Sequence, residues 1–378
     1  MQNMTNGIGF GDQIVSAMNR RQNAIEWPPT VAALRPAYVI IGALLSAALM
    51  DSAIHGGNLV TILRVVWHQV YIMVQFAVPI MAAVLLIRSY ILVGRDGAVS
   101  HAATTLRRLF FSWTVIFKAL PVLAFAAFLA GFVHFKMRIP DLGGYRWDDQ
   151  LYALDKLIFG GVSGWEFFAP VYNWPALVAS FDFFYSLWIP GIFVFWCWMA
   201  YNSRLSLQFR QQYLVSTVLT WILGGNLLAT LFGSVGPSFY GAIYVGQPDL
   251  FTGLQDKLSA VNASYPLLTF HVREQLLNAY FHPGANVVGG ISAMPSMHNA
   301  QAAIFVFTAM RINKWLTTAM AIFGTIIVSG SIILGWHYAS DSLAGLLIAL
   351  MVWHATGWAL RRSASTTAKQ PPFLNETG

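Results

Sequence analysis

Two short stretches carry the groups that can do chemistry. Residues 293–300 read AMPSMHNA and put His298 at the start of an apolar run, while residues 335–341 read GWHYASD and put His337 four residues ahead of Asp341. On a helix, positions i and i+4 share a face, so the Asp341 carboxylate can hold one imidazole N–H of His337 and leave the other ring nitrogen free. That is an oriented nucleophile or base. His298 across the site can protonate a leaving alcohol, because an unperturbed imidazole pKa of about 6.5 suits proton transfer near neutrality. Nucleophile, orienting carboxylate and acid together suit phosphoryl transfer through a phosphohistidine, with no metal or other cofactor required. Ser296 stands where a helix cap belongs, and the free N–H groups of a helix start favour an anion, so Pro295 and Ser296 are expected beside the substrate phosphate.

These groups have to be positioned by a membrane protein. Of 378 residues, 57% are hydrophobic and 10% charged, against about 45–50% and about 25% in soluble domains. Apolar runs predict eight spans: 37–50, 70–92, 109–132, 175–200, 213–232, 296–310, 315–334 and 338–360. The first 30 residues lack the apolar core of a signal peptide, so the first span is expected to do the targeting. With the N-terminus inside, 14 Lys and Arg fall on inner segments and seven on outer ones, a twofold bias that puts both termini in the cytoplasm. The same scatter of basic residues argues against a nucleic-acid partner despite a net charge of +7. In this topology His298, His337 and Asp341 share the outer surface. The sixth span, 15 residues from Ser296 to Met310, is about 22 Å long against a core of roughly 30 Å, which sets its catalytic end slightly below the interface.

Two outer segments are long, 133–174 and 233–295, and loops of that length are usually functional. In the first, Leu151, Leu154, Leu157 and Ile158 recur at helical spacing, predicting a helix lying on the membrane surface. The second contains another amphipathic stretch, LLTFHVREQLLNAYF. The lone Cys197 is core filler.

The motifs PSMH and HYASD resemble the second and third motifs of the type 2 phosphatidic acid phosphatase superfamily. The resemblance spans about 109–360 and implies a six-helix core in which His337 is the nucleophile, Asp341 its partner, and His298 the acid and base. Phosphatases of that superfamily carry a Lys and an Arg-Pro in the first motif and a Ser-Arg pair before the nucleophile. Here those stretches read TLFGSVGPSFY and VSGSIILGWH, with Gly330 and Ser331 at the Ser-Arg positions. This departure, with the segment WDDQLYALDKLIFG, is similar to the branch containing inositol phosphorylceramide synthase and sphingomyelin synthase, which moves phospho-headgroups between lipids. A phosphodiester carries less charge than a phosphomonoester, in keeping with fewer cations. Of the outer cations Arg146, Lys156, Lys257 and Arg273, the preferred phosphate ligands are Arg273 and Arg146. Tyr240 is placed to reach a headgroup, and Asp182 either pairs with Lys118 or touches a headgroup.

The expected protein is thus all-α and polytopic: a cytoplasmic segment 1–36, two additional spans in 37–108, a catalytic core 109–360 and a disordered tail 361–378. Its expected activity is transfer of a phospho-headgroup from a phospholipid or lipid-linked phosphate donor to a lipid alcohol. Hydrolysis, with water as acceptor, is the alternative, and a noncatalytic transporter or scaffold is disfavoured because the ionisable groups cluster at one surface. A bacterial inner membrane with the site facing the periplasm or exterior fits the topology.

Overall fold

The computed structural model describes residues 29–55, 59–110, 115–282 and 289–369, and these are helical with no β-strand among them. In chain order the main helices are α1 (Pro29–Ile54), α2 (Leu59–Phe110), α3 (Val115–Met137), α4 (Asp148–Ile158), α5 (Pro175–Ser186), α6 (Trp188–Tyr201) and α7 (Leu207–Thr220). After them come α8 (Thr252–Ser264), α9 (Leu268–Phe281), α10 (Met297–Met310), α11 (Lys314–Ile333) and α12 (Ala339–Lys369). Six segments are long and apolar enough to cross a bilayer: Thr30–Ile54, Ala119–Met137, Pro175–Tyr201, Leu207–Leu231, Lys314–Ile333 and Ala339–Ser363. The protein is an all-helical polytopic membrane protein. Of the other two expected spans, α10 has only 14 residues, about 21 Å. Span 70–92 lies in α2, many of whose side chains fall outside the described set.

Polar residues mark where the helices start. Ser206, Ser296 and Asn313 cap α7, α10 and α11, each side-chain oxygen accepting the amide of the residue three further on. The helix α7 continues through a π-helical turn, Trp221–Leu228, where Gly224 and Gly225 lie against Met297 and Phe132. A side chain at either glycine would occupy that space, so the π turn and the glycines together let α7 approach α3 and α10. Asn226 adds an interhelical hydrogen bond, its Nδ2 donating to the Phe132 carbonyl at 2.9 Å. The helix α1 packs into the same core through Leu34, Ala37, Ile41 and Leu44.

Three boundaries differ from expectation. The third span runs on to Met137, past the expected end at 132, because Val133 to Met137 has neither Gly nor Pro to stop a helix. The span 175–201 breaks at Leu187 into α5 and α6. The expected helix at 148–158 is present as α4: Asp148, Leu151 and Asp155 are buried against the protein, while Leu154, Leu157 and Ile158 are exposed and give it an apolar outer face. Finally, α12 extends to Lys369, into the stretch expected to be a disordered tail, since no Gly or Pro follows Gly357 until Pro371.

The helix α9 is docked by Asp182 of α5, whose carboxylate accepts the amides of Leu268 (2.8 Å) and Thr269 (2.9 Å) and the Thr269 hydroxyl. Those amides begin α9, so Asp182 acts as its cap from another helix. Asp182→Ala should lower stability by roughly 2–3 kcal/mol, the value of charge-assisted hydrogen bonds lost to buried donors. The change should read as a lower thermal midpoint in detergent, with faster amide exchange at Leu268 and Thr269.

Candidate active site

The two histidines meet at one end of the bundle, where the starts of α10 and α12 converge. His337 is buried, with Nε2 3.2 Å from Nδ1 of His298. Its own Nδ1 lies 2.8 Å from the carbonyl of Ala293 and 3.5 Å from Oδ2 of Asp341. A carbonyl only accepts, so Nδ1 carries the proton and Nε2 presents a lone pair. The expectation that Asp341 holds the imidazole is thereby modified: the Ala293 carbonyl is the closer partner, and Asp341 stands behind it as a charge. Asp341 also accepts the Tyr338 amide through Oδ2 (2.9 Å), and its backbone carbonyl accepts the Ser296 amide (3.0 Å). It therefore ties the two motifs together.

His298 is clamped by aromatic rings. Tyr185 stacks on it at 4.5 Å between centroids and 17°, and Trp188 packs at 4.0 Å. These residues flank the break between α5 and α6, so the break puts both rings at the level of the imidazole. Close helix approach sets the histidine pair. A Cβ on Gly345 of α12 would collide with the Ser296 carbonyl, so only glycine lets α12 lie against the start of α10. Behind the histidines, Asn299 Nδ2 donates to Ser331 Oγ (3.3 Å) and Ser342 Oγ (2.6 Å), joining α10, α11 and α12.

A second layer of support comes from α4. Asp148 accepts the amides of Val235 (2.9 Å) and Gly236 (2.8 Å) and the hydroxyls of Tyr244 (2.8 Å) and Tyr338 (3.0 Å). Burial raises its pKa above the ordinary carboxylate value, against the pull of those donors. Asp155 accepts the amides of Gly164 (2.6 Å) and Ala339 (2.8 Å), the latter being the first amide of α12. Ser234 then carries the connection onward: its carbonyl accepts the Ala293 amide (2.9 Å) and its Oγ the Met294 amide (3.0 Å). Gly236, at φ +83°, makes the turn between them, in a conformation that favours glycine.

The histidines face a cavity of about 70 Å³, several times the roughly 10–15 Å³ that one water needs. Its wall is mostly aromatic and aliphatic, with Phe132, Trp188, Trp221, Phe239 and Trp336, and it includes Pro295 and Lys136. Ser296 is buried as the cap of α10 and does not line the cavity. The preferred cations are elsewhere: Arg146 is exposed, and Arg273 donates to the Ser238 carbonyl (2.7 Å) and to Glu274 (2.8 Å). Tyr240 donates to Asp149 (2.9 Å), and the Asp182 carboxylate is taken up by α9. Arg273 and Asp182 act at a distance from the cavity, by holding α9, whose Leu276 does line it. The side chain of Lys118 lies outside the described residues.

A family model described as PAP2 superfamily matches residues 149–355, more than half of the chain. The chain belongs to the PAP2 superfamily. Members of this superfamily are phosphatases or phosphotransferases, so its fold and its paired histidines go with enzymatic chemistry on lipid phosphate esters. Comparison with curated proteins finds no match, and comparison with solved structures finds none either. Asp148 and Asp155 entered the sequence analysis only as part of the segment WDDQLYALDKLIFG, although a signal for their joint role was present: they are seven apart, two helical turns, on one face of α4. Lys136 was passed over because the third span was ended too soon. The Ala293 carbonyl had no sequence signal at all, since every residue has one.

Asp148→Asn would turn an amide N–H₂ toward a site filled by four donors. The variant should lose about 2–4 kcal/mol of stability, measured as a lower unfolding midpoint in detergent, and its remaining folded fraction should turn over more slowly.

Proposed function

We propose that this protein moves a phospho-headgroup from a phospholipid to a lipid alcohol by double displacement on His337, as in the inositol phosphorylceramide synthase-like branch of its superfamily. The observation that carries the reading is the His337–His298 pair, Nε2 to Nδ1 3.2 Å, lining a largely aromatic and aliphatic cavity. Support for a diester substrate comes from Ser331. It occupies the position of the phosphatases' arginine, is buried, donates to the Val328 carbonyl (2.8 Å) and accepts from Asn299.

In the first step Nε2 of His337 attacks phosphorus. The N–P bond forms, the bond from phosphorus to the glyceride oxygen breaks, and His298 as imidazolium gives its proton to the departing alkoxide. The positive charge on the phosphorylated His337 ring is met by the Ala293 carbonyl and the Asp341 carboxylate. In the second step neutral His298 takes the proton of the acceptor hydroxyl as that oxygen attacks phosphorus, and the N–P bond breaks. With phosphorus and leaving oxygen between them, the two rings must stand further apart than 3.2 Å, so substrate entry parts the pair. The excess of inner Lys and Arg supports a site facing away from the cytoplasm, in keeping with a bacterial inner membrane.

The test is incubation of purified protein with phospholipid labelled at phosphorus plus a long-chain lipid alcohol. Label should appear in a new lipid, His337→Ala should abolish its formation, and His298→Ala should slow it by about 10²–10⁴. Label released only as a water-soluble phosphate ester would make water the acceptor and overturn headgroup transfer.

A further inference from the structure

The cavity needs a cation for any phosphate it receives, and neither arginine favoured by the sequence reaches it. Lys136 does. It sits in the last turn of α3 and lines the cavity with His298 and His337. It lies before residue 149, where the family match begins, so it comes from a span outside the matched region.

The surroundings of Lys136 separate it from its basic neighbours. His134, in the last turn of α3, and Arg138, just past its end, are four apart, and Asp51 of α1 takes both: Oδ2 lies 2.9 Å from His134 Nε2 and 3.3 Å from Arg138 Nε. Asp141 takes Arg138 as well, at 2.9 Å. Lys136, two positions on, points from the opposite side of the helix. Among the described residues no carboxylate pairs with it, and its ammonium rests 5.9 Å from the Phe132 ring centroid. The Gly290 backbone lies directly on the Lys136 carbonyl, fixing the helix end against the loop that leads to Ala293. Among the described lining residues Lys136 is the one lysine or arginine, and none is acidic.

We propose that Lys136 is the phosphate-binding cation of this site and that, standing alone, it selects a monoanionic phosphodiester over a dianionic phosphomonoester. The proposal rests on the reading of this cavity as the lipid-phosphate site. With His298 neutral, one ammonium balances one negative charge, whereas a second charge in a cavity walled by Phe132, Trp221 and Trp336 would be buried uncompensated.

The experiment is calorimetric binding to full-length protein in detergent at pH 8. The ligand is a dihexanoyl phosphatidylglycerol analogue with methylene in place of the scissile oxygen, compared with the matching dianionic phosphonate lacking the headgroup. Wild type should prefer the diester analogue. Lys136→Met should weaken its binding about tenfold or more, and Lys136→Arg should keep it within about threefold. Lys136→Gln replaces the Met variant if the latter does not fold. Diester binding unchanged in Lys136→Met, or wild type binding the dianion more tightly, would overturn the proposal. Because the ligand cannot react, absent group transfer alongside Lys136-dependent binding would sink the transferase reading and leave this one supported.

Discussion

The hydrogen bond from His337 Nδ1 to the Ala293 carbonyl, 2.8 Å long, is the constraint on which the rest of the site depends. It sets which ring nitrogen carries the proton and therefore which one can act. The carbonyl also fixes the orientation of the ring. Asp341, 3.5 Å away, then contributes charge when the ring becomes cationic. Much of the surrounding structure serves to place that one carbonyl: Ser234 holds the Ala293 and Met294 amides, Asp148 holds the adjacent amides of Val235 and Gly236, and Tyr145 donates to the Ile291 carbonyl at 2.8 Å.

Such a network has physical reason to be dense here. Backbone that leaves helical geometry near a bilayer is tolerated only where protein groups satisfy it, and both histidine motifs begin in non-helical backbone. The carboxylates of α4 meet that requirement from outside the spans, Asp155 by taking the first amide of α12 and Asp148 by taking two amides of the 233–236 loop. The aromatic clamp of Tyr185 and Trp188 on His298 has a different consequence. It restricts the His298 imidazole to one ring plane while leaving Nδ1 directed at His337.

Periodicity and motif spacing made the helical membrane class and the meeting of His298 with His337 legible, because spans of fixed length bring their ends to fixed levels. What they could not convey was orientation across chain segments far apart in sequence. Asp182 and Arg273 stood out as polar residues in apolar surroundings, yet Asp182 caps a helix 86 positions away and Arg273 binds a carbonyl 35 away. The leucines of α4 suggested the helix and an apolar face on its outside, while the inward carboxylates Asp148 and Asp155 had to be found in the structure. Lys136 was hidden by an end-of-span estimate that stopped at Phe132; one more helical turn converts a loop charge into a cavity wall.

The most direct test of the central claim is the site of phosphorylation on His337, read by mass spectrometry and phosphorus–nitrogen NMR on ¹⁵N-histidine-labelled protein quenched during turnover. The account predicts phosphorus on Nε2, with the proton retained on Nδ1. Phosphorus on Nδ1, or on His298, would contradict it, because the Ala293 carbonyl would then not be the group that decides which nitrogen reacts.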